Sequence, residues 1–352
     1  MFRLHREAYQ LAVDARDQRF DGVFFVGITT THVYCRPCCP SRLALDQHRR
    51  FFDSAAAAER AGFRPCMRCR PELAPGRTAL AAVSRLARAA SERIASGALN
   101  GHTVADLATE LGVSERHLRR ALEREVSVSP LELAQTHRLL LAKRLIVDTD
   151  LPMTRVAYAS GFQSLRRFNA VFRAQYGMPP SALRRGRKAR ADGSLRLTLA
   201  YRPPALIAGL PREPLVSIAG HCGVVSVRNS AADAHLVVSI AESLLPVLMP
   251  LIAGLRRVFD LDAEPAVIDA HLRANGLAAL VDRWPGVRVV GVFERLEGAN
   301  PDAFDTTDPA LLAVAEQWRP WRAYAAQLLE LRRRDPAPDM PPPPSGARVP
   351  PR

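Results

Sequence analysis

Lysine is almost missing from this chain of 352 residues: of its 49 basic residues only Lys143 and Lys188 are lysines, so arginine carries the positive charge. Long apolar runs are missing too. The longest, Leu244 to Leu255, is interrupted by Pro246 and Pro250 and falls short of the roughly 20 apolar residues that a bilayer span needs. The amino terminus lacks the basic-then-apolar pattern of a secretory signal, so the sequence reads as a soluble, cytoplasmic protein with no membrane partner. Cysteine is scarce outside one group, Cys35, Cys38, Cys39, Cys66 and Cys69, with Cys222 far away. Without a secretory signal, such a group points to metal ligation or nucleophilic chemistry rather than disulfides. Hydrophobic residues make up 48%, which supplies packed cores and excludes global disorder. The length implies two or three domains.

What is present is charge, and it is segregated. Residues 1–190 hold 32 Lys+Arg against 17 Asp+Glu, whereas residues 191–352 hold 17 against 18. The stretch 151–190 has nine basic side chains and no acidic one. Arginine-rich genome composition explains arginine over lysine, but not this segregation. A nucleic acid is therefore the expected partner of the first half.

Punctuation divides the chain into a small α/β region, 1–75, with a strand at Gly22 to Ile28; a helical region, 78–185; strands at Leu195 to Tyr201 and Gly223 to Asn229 in an α+β region, 193–288; a helical remnant, 289–334; and a proline-rich tail, 335–352, expected to be disordered. Helices are expected at Leu244 to Phe259 and Ala310 to Leu331, and a linker at Arg184 to Arg190. The fold class is multidomain α+β.

Inside the helical region, Val104 to Leu118 and Met153 to Phe168 are near-repeats: a short helix, a glycine turn at Gly112 or Gly161, and a second helix opened by Ser114 or Gln163. Leu118 and Leu122, and Phe168 and Phe172, recur four apart on a core face. That spacing leaves Arg116, Arg119 and Arg120, and Arg166, Arg167 and Asn169, pointing outward to base edges or phosphates, and Gln163 and Ser164 are further candidate DNA contacts. The tandem units, with Gly161-Phe-Gln-Ser164 and the closing Phe172 to Pro180, resemble the DNA-binding domain of AraC-type regulators.

Cys35-Arg-Pro-Cys-Cys39 and Cys66-Met-Arg-Cys69 supply two close pairs, as a four-thiolate zinc site requires. Spacing leaves the first pair open, since Cys35 with Cys38 has the commoner two-residue gap. It also leaves open a purely structural zinc knuckle. The stretches Thr30 to Pro37, Arg42 to Phe52 and Ala61 to Pro71 resemble the amino-terminal domain of Ada-type alkylation-response proteins. That resemblance implies Zn²⁺ on Cys35, Cys39, Cys66 and Cys69, with Cys38 at a non-ligand position. It implies Cys35 as acceptor of a methyl group from a DNA methylphosphotriester and Arg42 as a DNA contact; Arg68, also beside the cysteines, is a second candidate for holding the damaged backbone. It further implies single-turnover methyl transfer followed by activation of repair genes, with RNA polymerase as a partner. The alternative is a transcription factor whose zinc only braces the fold.

Leu197 to Pro204, Leu255 to Pro265, Pro301 to Phe304 and Trp318 to Tyr324 resemble segments of AlkA-type alkylbase glycosylases, with Asp308 in the place of the catalytic aspartate. Only about ten residues separate Gly291 from Pro301, where those enzymes carry most of a helical domain, and the Leu-Pro-Gly-Ile-Gly hairpin is absent. Asp308 before Pro309-Ala-Leu-Leu then reads better as a helix N-cap than as a catalyst, and glycosylase activity is not expected, an AlkA-type DNA-3-methyladenine glycosylase fusion with residual base-excision activity being the further alternative.

Overall fold

A computed structural model describes residues 2–76, 85–184, 194–207, 210, 214–293, 295–306 and 308–335. Most of the expected linker, the helix start at Thr78 and the tail beyond Asp335 lie outside the described residues.

The first region contains α1 (Phe2–Asp14), β1 (Phe25–Ile28), β2 (Val33–Cys35), β3 (Arg49–Phe52), α2 (Ala55–Arg60) and β4 (Arg64–Pro65). The strand expected from Gly22 begins only at Phe25, because the chain is still turning at Gly22, where φ is +74°. The sheet order is β3-β1-β2-β4, with β1 antiparallel to both neighbours and β4 parallel to β2. Alternation along β1 sends Phe24 and Val26 against Ala12 and Val13 of α1, and Phe25 against Tyr34, Ala58 and Phe63 on the other face.

Six helices follow: α3 (Arg85–Ala95), α4 (Val104–Glu110), α5 (Glu115–Val126), α6 (Pro130–Asp148), α7 (Met153–Ala159) and α8 (Leu165–Tyr176). Gly112 and Gly161 adopt the left-handed φ of +68° and +89° that ends α4 and α7 and frees the chain to start a second helix. Ser114 caps α5 by accepting the His117 N–H at 3.3 Å. In the second unit Ser164, not Gln163, is the N-cap, accepting the Arg167 N–H at 3.2 Å. A glutamine is too long to close that ring, so the cap falls one residue later than the glycine spacing suggested. Leu118, Leu122, Phe168 and Phe172 are all fully buried, as the four-residue spacing requires.

The remaining half holds β5 (Leu195–Ala200), β6 (Leu215–Ile218), β7 (His221–Ser230) and β8 (His235–Ile240) in an antiparallel sheet ordered β5-β8-β7-β6. Then come α9 (Leu248–Val258), α10 (Pro265–Leu272), α11 (Ala278–Arg283), α12 (Pro309–Ala315) and α13 (Arg322–Arg334). Both long helices expected here are interrupted. Residues Glu242–Val247 form a 3-10 turn around Pro246 before α9 begins, and Pro320 separates α12 from α13.

The first helix-turn-helix unit packs around its own core of Leu107, Leu118, Leu122 and Leu133. The second does not. Phe162, Phe168, Phe172 and Tyr176 share one continuous core with Leu197, Val238, Leu251 and Phe259 of the carboxy-terminal half. Helices α10 to α13 enclose a separate core around Trp318 and Leu328. Among the described residues no helix is long and apolar enough to cross a membrane.

Candidate metal centre and nucleic-acid interface

Two parallel strands bring the first cysteines together. Val33 pairs with Arg64 and Tyr34 with Pro65, and the Cys66 N–H donates to the Tyr34 carbonyl at 2.9 Å, so Cys35 and Cys66 leave the sheet side by side. Tight turns deliver the others. The Cys39 N–H donates to the Arg36 carbonyl at 3.1 Å, curling Cys39 back toward Cys35. The sulfurs of Cys35, Cys39, Cys66 and Cys69 all lie within 4.8 Å of one another, and Cys38 is outside that set. A tetrahedral zinc with Zn–S bonds of about 2.3 Å needs sulfurs about 3.8 Å apart, which such a cluster can supply.

The chemistry of the donors also fits a cation. Hydrogen bonding to Cys39 leads the causes that push the Cys35 thiol up, while hydrogen bonding to Cys35 holds Cys39 far below the ordinary thiol range and brings Cys66 down to about 6. Sulfurs this close compete for protons, and all four become thiolates together only around a positive charge. The four-cysteine cluster therefore fits Zn²⁺.

The four sulfurs are not equivalent. Cys39, Cys66 and Cys69 are each 7% exposed, whereas Cys35 is more accessible. Backbone N–H groups of Arg68 and Arg36 reach the sulfurs of Cys66 and Cys69 at 3.3 and 3.4 Å. No backbone N–H donor to Cys35 or Cys39 is found among the described residues. Cys38 is half-buried, and burial pushes its thiol up to about 11, so it stays protonated near neutral pH. Cys222 lies exposed on β7, next to Ser217.

Several residues that hold this centre had no place in the sequence reading. The Arg36 guanidinium donates to Asp21 through Nε, at 2.8 Å, and Nη2, and to the Cys69 carbonyl through Nη1 at 3.2 Å. Lys143, 1% exposed on α6, donates to the Cys66 carbonyl at 3.1 Å and pairs with Glu72. Arg70 bridges Glu72 and Asp148 at 3.0 and 2.7 Å. Glu59 accepts from Tyr34 at 3.0 Å and from Thr136 of α6 at 2.6 Å. The metal-binding region thus sits on the long helix between the two helix-turn-helix units. One signal was available: Lys143 is one of only two lysines in a chain that elsewhere uses arginine.

Arg42 and Arg68 are exposed beside the cysteines. Arg116, Arg120, Gln163, Ser164, Arg166, Arg167 and Asn169 are exposed on or just before α5 and α8. Arg119 is half-buried and paired with Glu115 one helical turn back. Asp308 lies apart from all of these, at the start of α12, where its Oδ1 accepts the N–H groups of Ala310 and Leu311 at 2.9 and 3.3 Å.

The comparisons with known proteins follow this division. Residues 8–72 match the family described as the metal binding domain of Ada, residues 107–186 a helix-turn-helix domain, and residues 213–294 the AlkA N-terminal domain. These matches divide the chain into a region similar to the metal binding domain of Ada, a helix-turn-helix region and a region similar to the AlkA N-terminal domain. Among relatives, it is 35% identical over 313 residues to the "Probable bifunctional transcriptional activator/DNA repair enzyme AlkA" of Mycobacterium tuberculosis, covering 82% of this chain and 63% of that protein. It is 32% identical over 176 residues to the "Regulatory protein ada" of Salmonella typhimurium, covering 50% of this chain and 48% of that protein. Among solved structures, the "methylated N-ADA/DNA complex" is 29% identical and covers 38% of this chain and 96% of that one, with a TM-score of 0.18. The chain thus spans less than two thirds of the length of the Mycobacterium tuberculosis and Salmonella typhimurium relatives.

Proposed function

We propose that this protein repairs methylphosphotriesters in DNA by taking the methyl group irreversibly onto Cys35, and that the methylated protein then activates transcription of repair genes. The observation that carries this reading is the asymmetry of the four-cysteine cluster. Cys35 alone is appreciably exposed, and it lacks the N–H···S bond that draws charge from Cys66 and Cys69. Cys39 shares that lack but is buried, so Cys35 is the most reachable nucleophile of the set.

In this reading Cys35, Cys39, Cys66 and Cys69 hold the metal. Zn²⁺, when bound, keeps the sulfurs deprotonated while leaving them electron-rich. The Cys35 sulfur attacks the methyl carbon of the neutral triester, an S–C bond forms, and the C–O bond breaks. The electron pair leaves on the phosphodiester. No proton moves, so no general base is needed, and the thioether product makes each molecule act once. Arg42 and Arg68, both exposed beside the cysteines, would hold the damaged backbone.

Methylation also changes the charge facing DNA. Four thiolates on one Zn²⁺ carry a formal charge of about −2 and three carry about −1. At about 6–10 Å from a phosphate, with an effective dielectric near 20–40, the change removes roughly 1 kcal/mol of repulsion or more. Arg116, Arg119, Arg120, Gln163, Ser164, Arg166, Arg167 and Asn169 would read the operator, with Arg119 also held by Glu115. RNA polymerase would be the partner that the bound activator engages.

The test is to incubate zinc-loaded protein with duplex DNA carrying a methylphosphotriester and to weigh it. A mass gain of one methyl group, mapped to the Cys35 peptide, is expected. An unchanged mass would leave a transcription factor braced by zinc.

A further inference from the structure

Arg202 lies two residues beyond the end of β5 in the carboxy-terminal half and is 1% exposed. Its guanidinium meets backbone carbonyls from two halves of the molecule. Nε donates to Asp21 at 3.0 Å and Nη2 to Gly76 at 2.5 Å, both in the metal-binding half. Nη1 donates to Asp262 and Ala263 at 2.9 and 3.4 Å, within its own half. The junction is fastened a second time by the Gly76 N–H, which donates to the Asp262 carboxylate at 2.8 Å, and Arg256 holds that same carboxylate. There is no slack here: a Cβ on Gly22 would lie 1.9 Å from the Pro75 carbonyl oxygen and 3.3 Å from Arg202 Nη2.

Asp21 is held from both ends. Its carbonyl accepts from Arg202, while its carboxylate, almost fully buried, takes two bonds from Arg36. Arg36 directly follows Cys35, and its own amide and side chain bond the sulfur and the carbonyl of Cys69. A continuous run of hydrogen bonds therefore leads from Arg202 to the residue beside Cys35.

We propose that Arg202 is a positioning residue for methyl transfer, fixing the direction of Cys35 through Asp21 and Arg36; this rests on Cys35 being the methyl acceptor. It gives the AlkA-like half a task in the chemistry of the metal centre, unrelated to base excision. Residues that orient metal ligands without touching the metal are worth about 10–100-fold in metal affinity or activity.

The test uses the full-length protein loaded with zinc or cobalt. In Arg202→Met, zinc should pass to a competing chelator about tenfold faster, the cobalt–thiolate charge-transfer bands should shift, and methyl uptake should slow about tenfold. Arg202→Lys, which keeps the charge but reaches fewer carbonyls, should restore part of each. Tyr324→Phe, which cuts a hydrogen bond to Asp260 inside the carboxy-terminal half, should leave all three at the parent values. Asp21→Asn should resemble Arg202→Met, and the double variant should be no worse than either, because both break one chain. Unchanged zinc exchange and cobalt bands in Arg202→Met would overturn the proposal, as would additive effects in the double variant. Should Arg202→Met fail to fold, Arg202→Lys and Asp21→Asn carry the same test. A parent protein that takes up no methyl, with zinc exchange still set by Arg202 through Asp21, would overturn the proposed function and support the positioning link.

Discussion

The cysteine cluster and the segment around Asp308 each hold a side chain that resembles a reactive residue, yet their surroundings differ completely. Around Cys35 the neighbours are arranged for the cluster: two strands deliver cysteines, N–H groups face sulfur, and buried Lys143 of α6 and half-buried Arg36 bond the carbonyls of Cys66 and Cys69. Around Asp308 the neighbours serve the helix. Its Oδ1 is taken up by two N–H groups of α12, and Phe304, the nearest aromatic in sequence, packs edge-on against buried Trp318 with ring centroids 5.8 Å apart. A residue type in the right place along the chain is not a site. What makes one is the set of groups left free, or held ready, around it.

The sharpest way to break that contrast is to remove one sulfur. Cys66→Ser should abolish stoichiometric zinc and methyl uptake and unfold the knuckle, because three thiolates and a hydroxyl no longer offset the cost of ordering these turns. Cys38→Ser should keep one zinc per chain and full methyl uptake, since Cys38 stands outside the cluster. Metal analysis and mass spectrometry on the two variants check both statements. Loss of zinc in Cys38→Ser with retention in Cys39→Ser would mean that the other close pair holds the metal.

A smaller effect should appear where the metal-binding region meets α6. Burial pushes the Glu59 carboxyl up to about 7, against the hydrogen bonds from Thr136 and Tyr34 and the charge of Lys143, which lower it. The folded protein therefore binds a proton more tightly than the unfolded chain, whose glutamate titrates near 4.5. Glu59 favours folding fully below about pH 4.5, and this contribution is lost as the pH rises to about 7. The span corresponds to about 3 kcal/mol. Glu59→Gln keeps a hydrogen-bond acceptor without the charge, so its unfolding free energy should fall less between pH 5 and pH 8 than the parent's, as followed by urea denaturation of the zinc-loaded protein. Parallel pH profiles would show that Glu59 is not desolvated at this junction.

Much of this was legible from residues alone, for physical reasons. Gly112, Gly161, Ser114 and the four-residue spacing of Leu118, Leu122, Phe168 and Phe172 are local rules, and local rules fix the two helix-turn-helix units. The cysteine pairs were legible for the same reason, although spacing could not choose between Cys38 and Cys39. That choice depends on the direction of the turn closed by the Cys39 N–H on the Arg36 carbonyl. What could not be read were contacts between distant segments. Arg202 with Asp21, Lys143 with Cys66, and the core that the second unit shares with the sheet join residues that no periodicity relates. The interrupted helices at Pro246 and Pro320 were in plain view in the sequence, but the apolar pattern ran on through both prolines and outweighed them.

The smallest effect is expected at Asp308, and its smallness is the point. As an N-cap before a proline at the first helical position, its carboxylate serves two N–H groups that would otherwise lack a partner. Asparagine caps nearly as well, so Asp308→Asn should change the unfolding free energy by no more than about 0.5 kcal/mol, while Asp308→Ala should cost about 1 kcal/mol. A glycosylase aspartate would behave in the opposite way, tolerating both changes in stability and neither in activity. Base release needs an extruded nucleotide, a pocket to read it and a carboxylate free to face the sugar. Here the Asp308 oxygen is engaged by α12, and only about ten residues link Gly291 to Pro301. Duplex DNA containing a methylated adenine should accordingly release no base above background with the parent or either variant. Catalytic release by the parent that disappears in Asp308→Asn would mean that the cap opens on DNA and that a shortened domain still assembles a glycosylase site.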